Sequence, residues 1–504
     1  HSVLQTYRQL PMLYNQYKIT IPHVFVYNIE LRGKDYIQVK QRDSSIHATE
    51  RDGSGAGGVS KDFTVSAQET TFISRNLPAI RQDESYCWCP EDYKVQVSFD
   101  LQGTQFTPNE YKPYSQKWED VDKQLLKPEN TQFGEHLSLT NPFRPETKQA
   151  YNSEMNFEEK IICAFQVLKK KMAWNGRYQL YSKELEKVIK KGSGSNADLN
   201  FILISILKDF GLEAYPVVMS RRSSGMLPYN FPSLQKLNTF FVAIHDINKQ
   251  KYVFLDSSMD VPAFNILPLE LSVNKARMLS LKEKEEKKWV NVMALSHNKS
   301  FMKIDARIEG NQVKGHRSTV LYGQEAIEYQ ANENHKQDNL VSNPENKVSQ
   351  KEKLTVTNLK VKKQENDWAL IEEEFDFVLQ ADRTDDHLYI NPMLFPQLKS
   401  NPFIQTERVL PIEFPYPYKF TMLSTLTLPE GYEVEELPQP QAIRSEGDGL
   451  QCKYMIQKQG NTILLNYVFH LKGYIFLSEQ YKQLQELWAK VIEKNNALIV
   501  LKKI

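Results

Sequence analysis

Cysteine is scarce in this sequence: four residues in 504, at Cys87, Cys89, Cys163 and Cys452. So few exclude a disulfide scaffold as the source of stability. Cys87 and Cys89 flank Trp88, and such close neighbours on one strand rarely form an unstrained bridge. A metal site built on them needs a second pair, which the chain lacks. The expectation is plain structural thiols, buried as small hydrophobes. Charge of one sign is missing too: Lys and Arg total 63 against 62 Asp and Glu. No field of one sign argues for nucleic acid or an anionic membrane. No run approaches the ~18 apolar residues of a transmembrane helix. No leader is visible, although His1 is not a natural start and processing would remove one. No His/Cys/Asp cluster has metal-ligand spacing, so neither metal nor cofactor is expected.

The chain is rich in β-forming aromatics, with 25 Tyr and 25 Phe, and its length suggests three domains. Residues 1–103 alternate in strand fashion and read as a β-sandwich. The Gly/Ser run at 53–58 lacks the strand–glycine–helix context of a phosphate loop and reads as a hairpin tip. Residues 104–153 are polar and read as a connector with one short amphipathic piece at Trp118, Val121 and Leu125. At 157–172 the period changes: Phe157, Ile161, Phe165, Leu168 and Met172 recur at helical spacing. A glycine loop, Gly192-Ser193-Gly194-Ser195-Asn196, ends in an N-cap signal. The helix over 197–210 is apolar nearly all round and should be buried, with Gly211 as its stop. Antiparallel strands are expected at 214–219, 239–245 and 251–256, an α+β unit. From about 282 strands return, including one at 289–295. A polar stretch at 330–353 reads as exposed or disordered. One late helix is expected at 479–493, and a closing strand at 497–501.

Gly194-Ser195-Asn196-Ala197-Asp198, its apolar helix, and Gly211 to Val217 resemble the motif of transglutaminase-like proteins, whose core is of the papain type. Leu237-Asn238-Thr239-Phe240-Phe241-Val242 resembles the family strand that opens with a catalytic histidine. Val253-Phe254-Leu255-Asp256-Ser257-Ser258 resembles the strand carrying the acidic member. The resemblance implies an α+β transglutaminase-like (cysteine-proteinase-type) core at 146–285. It lies between an N-terminal β-sandwich at 1–145 and a C-terminal mostly-β domain at 286–504. Asn76 to Ile80 and Leu426 to Tyr432 resemble the flanking β domains of exported bacterial proteins of this architecture. A periplasmic or cell-surface location is implied.

Carried over residue by residue, the cysteine position is Asn196, the histidine position is Asn238 and the acid position is Asp256. An asparagine amide is neither a workable nucleophile nor a base near pH 7. Ser195 is the best replacement nucleophile, but it needs a base within ~3 Å. His245 lies about 23 Å from Asn238 at ~3.3 Å per residue and faces the opposite side. Cys163 falls in the stripe of an earlier helix, where a thiol is ordinarily inert. The expected protein is a pseudoenzyme whose cleft binds an unidentified peptide, protein or glycan. The rival is a protease or amide hydrolase of the transglutaminase-like, cysteine-peptidase class working through Ser195 or an unaligned residue.

Overall fold

The computed structural model describes residues 2–3, 10–52, 59–81, 84–107, 110–114, 117–227, 232–295, 297–330, 354–364 and 367–504. The Gly/Ser run at 53–58 and all but the first residue of the polar stretch at 330–353 lie outside them. The chain divides into two compact units: His1–Lys127 with Arg222–Leu237, and Pro128–Arg221 with Asn238–Ile504.

The first unit is built from two antiparallel sheets. Met12–Pro22, Val59–Leu77 and Ile37–Asp52 form one; Ser2–Val3, Gln96–Thr107, Phe25–Arg32 and Glu110–Pro113 form the other. Alternation turns Phe72, Val95 and Val97 inward, with Tyr17, Ile29 and Phe99 packed against them. The expected connector is more structured than its polarity implied. Gln96–Thr107 runs on into it and pairs with Glu110–Pro113, so its start belongs to the sheet. Trp118, Val121 and Leu125 are buried on the helix Trp118–Leu126. The excursion Arg222–Leu237 completes the unit. Asp92 Oδ2 accepts the Met226 N–H at 2.7 Å, and the Arg222 guanidinium sits 4.3 Å over the Trp88 ring. Gly225, at φ +94°, passes so close that a Cβ there would lie 2.6 Å from Asp92 Oδ1.

In the second unit, Asn156 caps α1 (Phe157–Lys171) through a reciprocal bond with Glu159, and Ile161, Phe165 and Leu168 form its buried stripe. α2 (Asn196–Asp209) is buried at every residue from Asn196 to Leu207. A five-stranded antiparallel sheet packs on it, in the order β3–β2–β1–β4–β5, from β1 (Ala214–Met219), β2 (Thr239–Asp246), β3 (Lys251–Leu255), β4 (Ala276–Met278) and β5 (Trp289–Val290). The strand expected at 289–295 stops early. Val292 and Met293 are buried in a 3₁₀ turn (Val292–Ala294) that replaces its second half.

Beyond it stands an eight-stranded sheet. Its strands are β6 (Lys299–Glu309), β7 (Gln312–Tyr322), β8 (Leu354–Gln364), β9 (Asp367–Gln380), β10 (Tyr418–Thr427), β11 (Gln441–Arg444), β12 (Leu450–Gln459) and β13 (Thr462–Leu471). They run in the order β8–β9–β7–β6–β10–β13–β12–β11, and only the β6–β10 pairing is parallel. Strict alternation along β6 turns Met302, Ile304, Ala306 and Ile308 inward. The late helix, α3 (Tyr481–Asn495), buries Leu484, Trp488 and Val491. Ile499–Lys503 follows and pairs with His387–Ile390 and Tyr432–Glu436. Among the described residues no helix is long and apolar enough to cross a membrane.

Candidate functional site

The glycine loop delivers the start of α2 to the ends of β2 and β3. Ser195 is the N-cap: its Oγ accepts the Asp198 N–H at 3.3 Å, and the Asp198 carboxylate takes the Ser195 N–H at 2.8 Å in return. This is the reciprocal capping box. Gly194 is required by crowding, since a Cβ would sit 2.5 Å from Val188 Cγ1 and 2.9 Å from Asp198 Cβ.

Asn196, fully buried, spends every polar atom inside the protein. Its N–H donates to the Arg177 carbonyl at 3.0 Å, and its Oδ1 accepts the Gln179 N–H at 2.9 Å. Its Nδ2 donates to Thr239 Oγ1 at 2.8 Å, to the Phe240 carbonyl at 3.0 Å and to Asp256 Oδ2 at 3.5 Å. One turn along, Asn200 repeats the pattern. Its Nδ2 reaches the Phe240 carbonyl at 2.8 Å and Asp256 Oδ2 at 2.9 Å, and its Oδ1 accepts the Ser257 N–H at 3.0 Å. Phe240 is held in place by Phe201 and Phe133, with ring centroids 4.8 and 5.3 Å away.

Asp256 is fully buried and accepts from both asparagines, from the Ser258 N–H at 2.9 Å and from the Ser258 hydroxyl. Burial pushes its carboxyl above the usual range, while the bonds from Asn200, Ser258 and Asn196 pull the other way. Lys169 of α1 fixes the turn beyond it, donating to the Ser257 carbonyl at 3.0 Å. Burial lowers the Lys169 pKa, opposed by Asp260 and Asp256. Tyr178 borders the network, its hydroxyl 3.3 Å from Ser258 Oγ, and burial raises its pKa.

Of the three positions read from the sequence, the structure brings two together. Asn196 and Asp256 share a hydrogen bond; the Asn238 side chain touches neither. Asn238 Oδ1 accepts the Arg221 N–H at 2.9 Å and its own N–H donates to the Met219 carbonyl at 3.0 Å. It therefore clamps the neck of the 222–237 excursion. The next residue, Thr239, faces Asn196 instead.

Ser195, 1% exposed, donates its hydroxyl to the Asp198 carboxylate at 2.7 Å, its partner in the capping box, and no histidine lies beside it among its hydrogen-bond partners. His245 stacks on Tyr252 at 4.9 Å, near the end of β2 opposite to Thr239. Cys163 is half-buried with its thiol pushed up by burial, opposed by Lys170. None of the four cysteines is in a disulfide. Among the described residues no group of His, Cys, Asp and Glu could hold a metal ion. The arrangement therefore positions a buried acid, Asp256, against two amides, with the Ser195–Asp198 pair at the helix start. Asn200 was missed in the sequence, although it stands four residues after Asn196 on the same helix face. Thr239 was missed as well, although its hydroxyl is the one that accepts from Asn196.

A family model for a domain of unknown function with solved structure (DUF3858) matches residues 386–501. No curated protein matches the chain. Among solved structures, a putative protease from Parabacteroides distasonis aligns at a TM-score of 0.51 with 12% identity, over 99% of this chain and 74% of that one. That likeness shows a shared fold. A putative cysteine protease from Cytophaga hutchinsonii aligns at a TM-score of 0.17 with 10% identity, over 50% of this chain and 80% of that one.

Proposed function

We propose that this chain is a non-catalytic protein of the transglutaminase-like, papain-type class that binds a peptide or glycan rather than cleaving it. Its core at 146–285 is flanked by β-rich domains at 1–145 and 286–504, and it works at the periplasm or cell surface. The observation that carries the reading is Asn196. It occupies the helix start where a nucleophile would stand, is 0% exposed, and has its N–H and both ends of its amide committed to protein partners. An acyl-transfer site needs that N–H or its neighbours free for an oxyanion, and a base beside the nucleophile. In this reading Asn196, Thr239 and Asp256 hold the places of nucleophile, base and orienting acid. Thr239 replaces Asn238 because its hydroxyl, not the Asn238 amide, reaches Asn196. The neighbour's description as a putative protease supports the class of fold; at 12% identity its activity does not transfer.

The test is direct. Intact protein incubated with casein and with glutamine-amide peptides should show no turnover that Ser195→Ala or Asn196→Ala removes. Turnover lost in Ser195→Ala would replace this reading with the hydrolase. Asn196→Cys combined with Thr239→His should yield a thiol that iodoacetamide alkylates well below the ordinary thiol pKa of ~8.5. Asn196→Cys with Asn238→His should not. Equal reactivity of the two pairs would show that Thr239 has been misassigned.

A further inference from the structure

The eight-stranded sheet carries a hollow on the face turned away from its core. β8, β9, β7, β6 and β10 are neighbours in that order, and their register aligns two polar rows across them. One row holds Thr357, Asp376, His316, Asp305 and Thr425; the next places Arg307 between its partners Lys314 and Thr427. Ala306, Phe377 and Leu426, one residue out of step, are buried on the opposite face. Asp305, Asp376, Arg307, Lys314 and three threonines wall a space of about 570 Å³, within the range of small-ligand sites. The charged walls are held from outside it. Lys303 pairs with Asp305 at 2.7 Å, and Glu309 takes Arg307 at 2.5 Å and Lys314 at 2.8 Å. Asp376 accepts from Asn358 at 2.7 Å and meets His316 at 2.9 Å, contacts that hold its carboxyl below the usual range. Asn358 reaches it because β8 is bulged there: the register slips between Thr357 and Lys360, and Asn358 takes φ +54°. Bulges re-aim side chains beside functional sites, and left-handed backbone inside a strand persists where the surroundings demand it.

The chemistry of the walls selects the occupant. Residues two apart on a strand lie ~7 Å from each other, so carboxylates and cations face the same molecule. A phosphate or other anion would meet Asp305 and Asp376, and a cation would meet Arg307 and Lys314. A peptide docks along a sheet edge or sinks apolar side chains into pockets. This hollow crosses the face of the sheet, and its walls are polar but for Val378. Carboxylates only accept, a guanidinium and an ammonium only donate, and threonine hydroxyls do both. That set matches a neutral molecule dense in hydroxyl groups. We propose that the hollow on the eight-stranded sheet is a binding site for a neutral glycan. Tethering the walls beforehand lowers the cost of ordering them around it. The site is separate from the Asn196 network and does not rest on the reading of that cleft.

Native gel electrophoresis of the intact chain through mixed-linkage β-glucan, xylan and galactomannan provides the test. At least one of these neutral polysaccharides should slow the parent protein. Asp376→Ala and Arg307→Ala should each weaken that retardation about tenfold, read from its dependence on polysaccharide concentration. The two side chains are 47% and 69% exposed, so both variants should melt with the parent. Retardation by none of the three polysaccharides would overturn the proposal. Retardation kept in full by both variants would also overturn it, by moving the binding to another part of the chain. Stronger retardation by dextran sulfate than by any neutral polysaccharide would overturn it as well, marking the hollow as an anion site.

Discussion

Around Asp256, two asparagine amides, a serine hydroxyl and a backbone N–H converge on one carboxylate, and each donor comes from the protein itself. Around Tyr467 the polar groups are equally buried, but they are joined far more loosely: Tyr467 interacts with Cys452 and Asn495, and the hydroxyl of its neighbour Tyr454 has no hydrogen-bond partner in the protein. The first layer joins α2, β2 and the end of β3 at fixed distances near 3 Å. The second joins α3 to its sheet through Asn495 and Tyr467 and leaves the Tyr454 hydroxyl without a partner in the protein. A polar core that closes on itself is rigid and intolerant, since every group removed strands its partners.

The comparison can be pressed by substitution. Asp256→Ala strands several buried donors at ~1–3 kcal/mol each and should cost on the order of 3–5 kcal/mol in urea unfolding. A loss below about 1 kcal/mol would mean the network is not self-contained. Asn200→Ala, which frees the Ser257 N–H and removes one donor to Asp256, should cost about 2–3 kcal/mol. Tyr467→Phe in the second layer should cost only about 1 kcal/mol, so a loss matching that of Asp256→Ala would erase the contrast.

Asn238→Ala removes one bond at the excursion neck, and about 1 kcal/mol is expected. Hydrogen exchange should rise at Arg221 while Asn200 stays protected. The two layers should also differ in their response to pH. The folded pKa of Asp256 lies above its unfolded value of ~3.9, so its contribution is fully present below that value. It declines as pH rises through the raised folded pKa, and the decline should vanish in Asp256→Asn. The smallest effect is expected at Glu69, where Arg42 first and then Lys18 hold the carboxyl at about 2. Its contribution is present above the ordinary glutamate range and fades as pH falls toward 2, a slope that Glu69→Gln should remove from acid titration of the first unit.

Much of the second unit was legible in the sequence. The glycine loop, the apolar run after it and Gly211 located α2 within one residue at each end, because a helix with no polar face has to be buried. Asn200 was hidden by that same run, which drew attention to its apolar members and away from the amide one turn past Asn196. Thr239 was overlooked because neighbouring strand residues face opposite ways: the motif put the weight on Asn238, which faces Arg221, and not on the residue whose hydroxyl reaches Asn196. The pairing of Asp92 with Gly225 and Met226 joins positions more than a hundred residues apart and leaves no local pattern.

That last pairing has a consequence for synthesis. Most of the first unit precedes the second in the chain, yet Arg222–Leu237 belongs to it, so it cannot be finished when Lys127 leaves the ribosome. All of α2 and β1 must be translated first. At ~5–20 residues per second the wait is on the order of ten seconds. During it the turn around Asp92 and Trp88 has no strap to close on. A gene cut after Lys127 would make that interruption permanent, and should yield a soluble product only when residues 222–237 are supplied in trans.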